Sequence, residues 1–304
     1  MATPVVSGTV ALMLEENDWS PSTVKDALVT TADPLGSQDI YTQGAGLVNA
    51  TEAVDPGIVV DAARVDFGTY TSDRTVSETI TVTNRGESVE RLNASVSVEN
   101  LVQNTDSNVS VNRTTLRLEP GESADLALTV DTDSGAGVYS GRLSFDDGEY
   151  GTIFGFTRYN RITVTKRALS GSADGDIVRL YPESDSQWSS GPQFAAVSNG
   201  TVTYDVLESG TYHVLSVGTT NRSVPVVTSA SVDVTDDRSV TLDEADTARH
   251  RLDDRVLDAR EGETFLSALN VGYHLTADPE ESYLGSIGVR DPESAVVRSS
   301  VDPA

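Results

Sequence analysis

The chain changes its hydrophobic rhythm once, near Pro56-Gly57. Ahead of that point the apolar positions run at helical spacing. Val5, Val6, Val10, Leu12, Met13 and Leu14 cover nearly every side of a first helix, which suits burial within a larger α/β domain rather than a solvent-facing role. A second helix is predicted over 20–32. Ser20 is a suitable N-cap, and Pro21 suits the first helical position, where its missing N–H is no loss. After Pro56-Gly57 the apolar positions alternate instead. Ser77 to Asn84 reads as a strand with Ile80 and Val82 on one face, and Asn84-Arg85-Gly86-Glu87 as a turn. Arg91 to Val98 alternates through Leu92, Ala94, Val96 and Val98. Leu116-Arg117-Leu118 leads into the turn Glu119-Pro120-Gly121-Glu122. Ala124 to Val130 and Val138 to Phe145 add two more strands.

A second β-rich region begins near Ala168, after which Ser170 to Gly175 reads as a linker or wide turn. Strands follow at 200–206, 209–217, 229–234 and 239–242, and Asp243-Glu244-Ala245-Asp246 ends the block. Residues 250–304 carry the weakest pattern: they finish this sandwich or begin a next module. The fold class expected is mainly β, with two β-sandwich domains behind a short helical segment. The expected divisions are 1–55, 58–167 and 168–304.

Three runs in the helical part resemble one family. Met1-Ala2-Thr3-Pro4 with Gly8 resembles the second half of the Gly-Thr-Ser-Met-Ala-[Ala/Thr]-Pro motif of subtilisin-like serine proteases, which opens a buried helix with a small residue one turn in. Ser20 to Ala32 fits the next helix of that family, and Gly44 to Val54 the run that closes its catalytic domain. The resemblance covers residues 1 to about 55. It implies a C-terminal portion of a subtilase in which the nucleophilic serine would directly precede Met1. The alternating segments resemble, more weakly, the fibronectin-like or immunoglobulin-like modules that follow subtilase domains. Ser209-Gly210-Thr211-Tyr212-His213-Val214 is similar to a strand of small transthyretin-like sandwiches.

Composition adds a setting. The net charge is −26, from 47 acidic and 21 basic residues, and only Lys25 and Lys166 are lysines. Such acidity argues against nucleic acid or an anionic membrane as partner, because both repel it. It fits a protein of high salt, where a Debye length of about 3 Å at 1 M screens the self-repulsion. Cysteine is absent, so disulfides, a thiol nucleophile and thiolate metal sites are excluded. Six Asn-x-Ser/Thr sequons, at Asn49, Asn93, Asn108, Asn112, Asn199 and Asn221, are candidate glycosylation acceptors and favour an exported surface. No stretch is long and apolar enough to span a membrane. Val5 to Leu14 is not a signal peptide: no basic residue precedes it, and Glu15, Glu16 and Asp18 follow.

Catalysis by a subtilase needs an Asp that orients a His, a His that takes the proton from a Ser, and an oxyanion hole. In the family the resemblance implies, the Asp, His and oxyanion-hole segments all precede the Ser. The histidines here, His213, His250 and His274, lie in the β-rich part and none is followed by Gly. Asp133-Ser134-Gly135 matches the Asp motif in letters but falls in a predicted loop. Asp146-Asp147, Asp236-Asp237 and Asp253-Asp254 are carboxylate pairs in predicted turns, without the spacing of a calcium loop. No catalytic residue, metal or cofactor is therefore assigned to this chain. The reading is a C-terminal fragment of a secreted endopeptidase, inactive alone, whose parent takes a protein or peptide substrate at the cell surface or outside the cell. The alternative is a stand-alone extracellular β-sandwich module for binding or spacing.

Overall fold

The computed structural model describes residues 2–251 apart from 37, 63, 104–107, 134, 184–192 and 220–224, together with strands at 269–278, 281–289 and 296–299. It divides into two compact units, residues 1–160 and 161–304. Among the described residues it is mainly β, with sheets packed as sandwiches behind four short helices.

The first unit opens with α1 (Ala2–Glu16), α2 (Pro21–Thr30), α3 (Ile40–Gln43) and α4 (Ala50–Val54). The cap of α2 is the expected one. Ser20 Oγ accepts the Thr23 N–H at 3.2 Å, and Pro21 occupies the first turn. Nine strands follow: β1 (Ile58–Asp61), β2 (Arg64–Tyr70), β3 (Thr75–Asn84), β4 (Glu90–Asn100), β5 (Asn108–Val111), β6 (Thr115–Leu118), β7 (Ser123–Asp131), β8 (Gly137–Phe145) and β9 (Tyr150–Arg158). They form a four-stranded sheet, β1-β3-β7-β5, and a five-stranded sheet, β2-β9-β8-β4-β6. Alternate residues of both sheets meet in one core: Ile80 and Val82 from β3, Leu126 and Leu128 from β7, Leu143 and Phe145 from β8, Phe154 and Phe156 from β9. Two close packings shape this core. Phe154 meets Phe67 edge-on, with ring centroids 6.2 Å apart. Phe154 also fills the space beside Gly141, where a Cβ would stand 2.2 Å from its ring.

Polar anchors fix the corners. Asn84 is fully buried at the end of β3. Its side-chain amide donates to the carbonyls of Ser88 at 2.7 Å and Leu118 at 3.0 Å, and its Oδ1 accepts the Gly86 N–H at 2.9 Å. That places the Asn-Arg-Gly-Glu segment where the sequence predicts a turn. The Tyr139 hydroxyl donates to the carbonyl of Gly135, four residues upstream. Such a tyrosine corner ties a strand to the loop entering it in sandwich folds.

The second unit contains β10 (Asn160–Arg167), β11 (Ile177–Pro182), β12 (Gln193–Ala196), β13 (Thr201–Val206), β14 (Gly210–Thr219), β15 (Pro225–Val234), β16 (Arg238–Asp243), β17 (Ala248–Arg251), β18 (Leu269–Asp278), β19 (Glu281–Val289) and β20 (Val296–Ser299). The sheets are β13-β10-β16, β12-β11-β14-β15-β20-β17 and the hairpin β18-β19. Ile162, Val164, Val202, Tyr204 and Leu242 from the three-stranded sheet pack with Val178, Leu180, Tyr212, Val214 and Val234 from the six-stranded one. The tyrosine corner recurs here: Tyr212 donates from its hydroxyl to the Glu208 carbonyl at 2.9 Å. Tyr204 donates to the Val178 carbonyl at 2.7 Å, and burial pushes its hydroxyl up to about 12.

Candidate functional site

The motif segment lies on α1. Ala2, Thr3, Pro4 and Gly8 are helical, Met1 lies outside the described residues, and Thr3, Pro4 and Gly8 are exposed. One stripe of the helix is covered. Thr9 and Met13, one turn apart, are buried, and Met13 packs with Val24 and Ala27 of α2, Ala53 of α4 and Val59 of β1. The other apolar sides meet no partner of comparable extent: Val5 is 58% exposed, Leu12 51% and Leu14 52%. Gly8 sits inside the helix, and a Cβ there would meet nothing within 4 Å. A mid-helix glycine costs about 0.5–1 kcal/mol relative to alanine, and no close approach in this chain offsets that cost. Gly8→Ala is accordingly expected to raise the stability of the isolated chain by about 0.5–1 kcal/mol in denaturant titration. A loss of stability would mean that Gly8 serves a contact within the chain itself.

The segment behind α2 is fastened to the outer face of the five-stranded sheet. Asp33 and Leu47 form a two-residue bridge, with N–H···O distances of 2.9 and 2.8 Å. Gly46 makes this possible: its φ is +134°, and a Cβ would stand 2.1 Å from the Asp33 carbonyl oxygen. Arg142 of β8 donates from Nη1 to the Ala45 carbonyl at 2.9 Å and from Nη2 to that of Ala32 at 3.3 Å. Burial lowers its pKa, and the charge of Asp33 opposes that shift. Ser140 Oγ accepts the Ile40 N–H at 3.0 Å, and the Tyr41 hydroxyl donates to the Tyr139 carbonyl at 3.2 Å. The Gly44-Ala45-Gly46 run thus has a physical role as the closed end of a loop clamped onto β8.

The other candidates resolve into surface features. His213 lies on β14, with Nδ1 2.9 Å from Ser231 Oγ and Nε2 3.9 Å from Glu183 Oε1. Sequence reading missed this trio, because only strand pairing brings its members together: β14–β15 sets Ser231 opposite His213, and β11–β14 brings up Glu183. It has the residue types of a hydrolase triad but not the geometry. The acid stands beyond hydrogen-bond reach of the imidazole, and Ser231 is exposed on a sheet face. Asp133 is exposed and accepts from Asn108 Nδ2 at 3.1 Å, while Ser134 lies outside the described residues. Asp146 accepts the Asn93 N–H at 2.9 Å, Asp236 pairs with Arg238, and Asp237 accepts the Arg161 N–H at 2.9 Å. Among the described residues no three His, Asp or Glu side chains converge as metal ligands would. Asp253-Asp254 lies outside the described residues, as do the side chains of His250 and His274.

Among the sequon asparagines, Asn93, Asn108, Asn112 and Asn199 are exposed. Asn49 is half-buried and caps α4, its Oδ1 accepting the Glu52 N–H at 3.2 Å. Asn221 lies outside the described residues.

Comparison with known proteins agrees with the placement of the motifs. Residues 1–57 match the model of the subtilase family. The subtilisin-like protease SBT3.1 of Arabidopsis thaliana is 41% identical over 91 residues, which take in 25% of this chain and 12% of that protein. SBT3.11 of the same plant is 43% identical over 82 residues, 22% of this chain and 11% of the relative. The chain thus spans about an eighth or less of the length of the curated relatives it matches. Among solved structures, the Bacillus anthracis TIE protein aligns at a TM-score of 0.34 and 12% identity, covering 64% of this chain and 42% of that one. A likeness so distant adds nothing to the assignment. The relationship to subtilisin-like proteases takes in the helical segment, where the family model matches residues 1–57.

Proposed function

We propose that this chain is the C-terminal portion of a secreted subtilisin-like serine endopeptidase, in which residues 1–55 close the catalytic domain and the β-sandwiches follow it. In this reading the parent cleaves protein or peptide substrates outside the cell or at its surface, and the acidic composition adapts it to high salt. The sandwich of the first unit is fibronectin-like or immunoglobulin-like, that of the second transthyretin-like, and the exposed sequons are candidate glycan sites. The observation that supports the reading most is the state of α1. It carries the motif, yet Val5, Leu12 and Leu14 are about half exposed. A helix apolar on every side belongs in an interior.

Alone, the chain is expected to hydrolyse nothing. Residual catalysis in a triad-less subtilase depends on the oxyanion hole, whose segment in that family lies ahead of the serine. The test is incubation of the purified chain with casein in molar salt, beside labelling with a serine-directed fluorophosphonate. Cleavage, or labelling at a single serine, would show that the chain carries catalytic machinery of its own.

A further inference from the structure

Lys166 is one of two lysines in a chain whose remaining basic residues are arginines. It lies on β10 with its side chain 0% exposed. Its Nζ stands 3.0 Å from Oε1 of Glu244, itself only 2% exposed, in a 3-10 turn at Glu244–Asp246 directly after β16. The same nitrogen donates to Thr228 Oγ1 at 2.9 Å. The second carboxyl oxygen, Glu244 Oε2, accepts the Leu169 N–H at 2.8 Å. Asp176 completes the group. A Cβ on Gly218 would stand 2.6 Å from Asp176 Oδ2 and 2.7 Å from Glu244 Oε1, so these oxygens approach the same point beside a residue that has no side chain. Burial pushes the Asp176 carboxyl up; the charge of Lys166 opposes this and that of Glu244 adds to it.

A buried ion pair needs no lysine, and arginine suits that role better. Among the described residues, the buried cation of the first unit is an arginine: Arg158, which reaches out to the exposed Asp73 at 3.0 Å. What lysine adds is an amine that becomes a nucleophile on losing a proton. Here that amine is held against a carboxyl group whose far oxygen already accepts a backbone N–H.

We propose that Lys166 Nζ and Glu244 Cδ condense into an intramolecular amide, a cross-link that closes the second unit between β10 and the turn after β16. The first proton passes from Nζ to Glu244 Oε1 along their 3.0 Å contact. The free amine then adds to Cδ, and negative charge develops on Oε2, where the Leu169 N–H receives it. Asp176 relays a second proton from the nitrogen to Oε1. The Cδ–Oε1 bond breaks and water leaves, while Nζ–Cδ remains as an amide bond and Asp176 returns to its starting state. Nothing is oxidised or reduced, and no co-reactant is consumed. Thr228 acts as a positioning residue that holds the amine in place, and burial keeps hydrolysing water from the product.

Mass spectrometry of the purified full chain tests this. The intact mass is expected to fall short of the sequence mass by one water. Trypsin should fail to cut after Lys166 and should release a branched peptide joining residues 162–167 to 239–249. Lys166→Arg keeps the charge but lacks the amine, so it should restore the full mass. Asp176→Asn should slow the loss of water in freshly made protein. A wild-type mass equal to the sequence mass overturns the proposal whether or not any variant folds. So does a water loss that maps to a succinimide at Asp147-Gly148 or Asp174-Gly175.

Discussion

Transferring the purified chain from about 3 M to about 0.05 M salt is expected to unfold most of its β-structure, because the Debye length grows from a few Å towards ten or more and exposes the carboxylates to one another. The charge balance decides the sign. The chain has 47 acidic and 21 basic residues. Its exposed ion pairs, such as Arg64–Asp66 at 3.4 Å and Arg117–Glu119 at 2.6 Å, are strengthened at low salt. Each contributes only about 0–1 kcal/mol, however, and cannot offset the repulsion among the surplus carboxylates. A loss of about 5 kcal/mol would lower the melting temperature by roughly 10–20 °C in a domain of this size. Circular dichroism across a salt titration measures this. A melting temperature unchanged between the two salts would show that the acidity has a cause other than high salt.

The second large effect lies in the first sandwich. Phe154→Ala should cost about 3–5 kcal/mol, as a fully buried aromatic ring gives way to a cavity. Gly141→Ala should cost about 1–3 kcal/mol by overpacking, because the new Cβ collides with the Phe154 ring. The two changes touch the same space, so their costs should not add. Placed in the Phe154→Ala background, Gly141→Ala should cost little or should recover stability by filling part of the cavity. Denaturant melts of the two single variants and the double variant close the cycle. Additive costs would mean that Phe154 does not pack on Gly141 in solution.

The strands legible in the sequence share one property. β3, β4, β7 and β8 each have one face in the core and one towards solvent or a polar loop, so apolar and polar residues alternate. β9 does not show itself this way. Eight of its nine residues are buried, because the core covers one face and Ile40 and Tyr41 approach Gly155 on the other. A strand covered on both sides loses its alternation. β1 and β12 are short, at four residues each, and β10 gains its place through a parallel partner, β16, far along the chain. The helical caps were legible because they are local: Ser20-Pro21 marks the start of α2 within two residues. The all-round apolar pattern of α1 was legible as well, and its half-exposed leucines are the physical form of that mismatch. The group formed by Lys166, Asp176, Thr228 and Glu244 left no local signal. Its members are assembled only by strand pairing and by the absence of a side chain at Gly218.

The reading of residues 1–55 as the end of a catalytic domain is tested most directly by the genomic DNA upstream of the Met1 codon. The account predicts an open frame that runs into Met1 with codons for Gly-Thr-Ser directly ahead, and codons for a His-Gly-Thr and an Asp-[Ser/Thr]-Gly segment further back. An in-frame stop codon immediately upstream, behind a ribosome-binding signal, would contradict it.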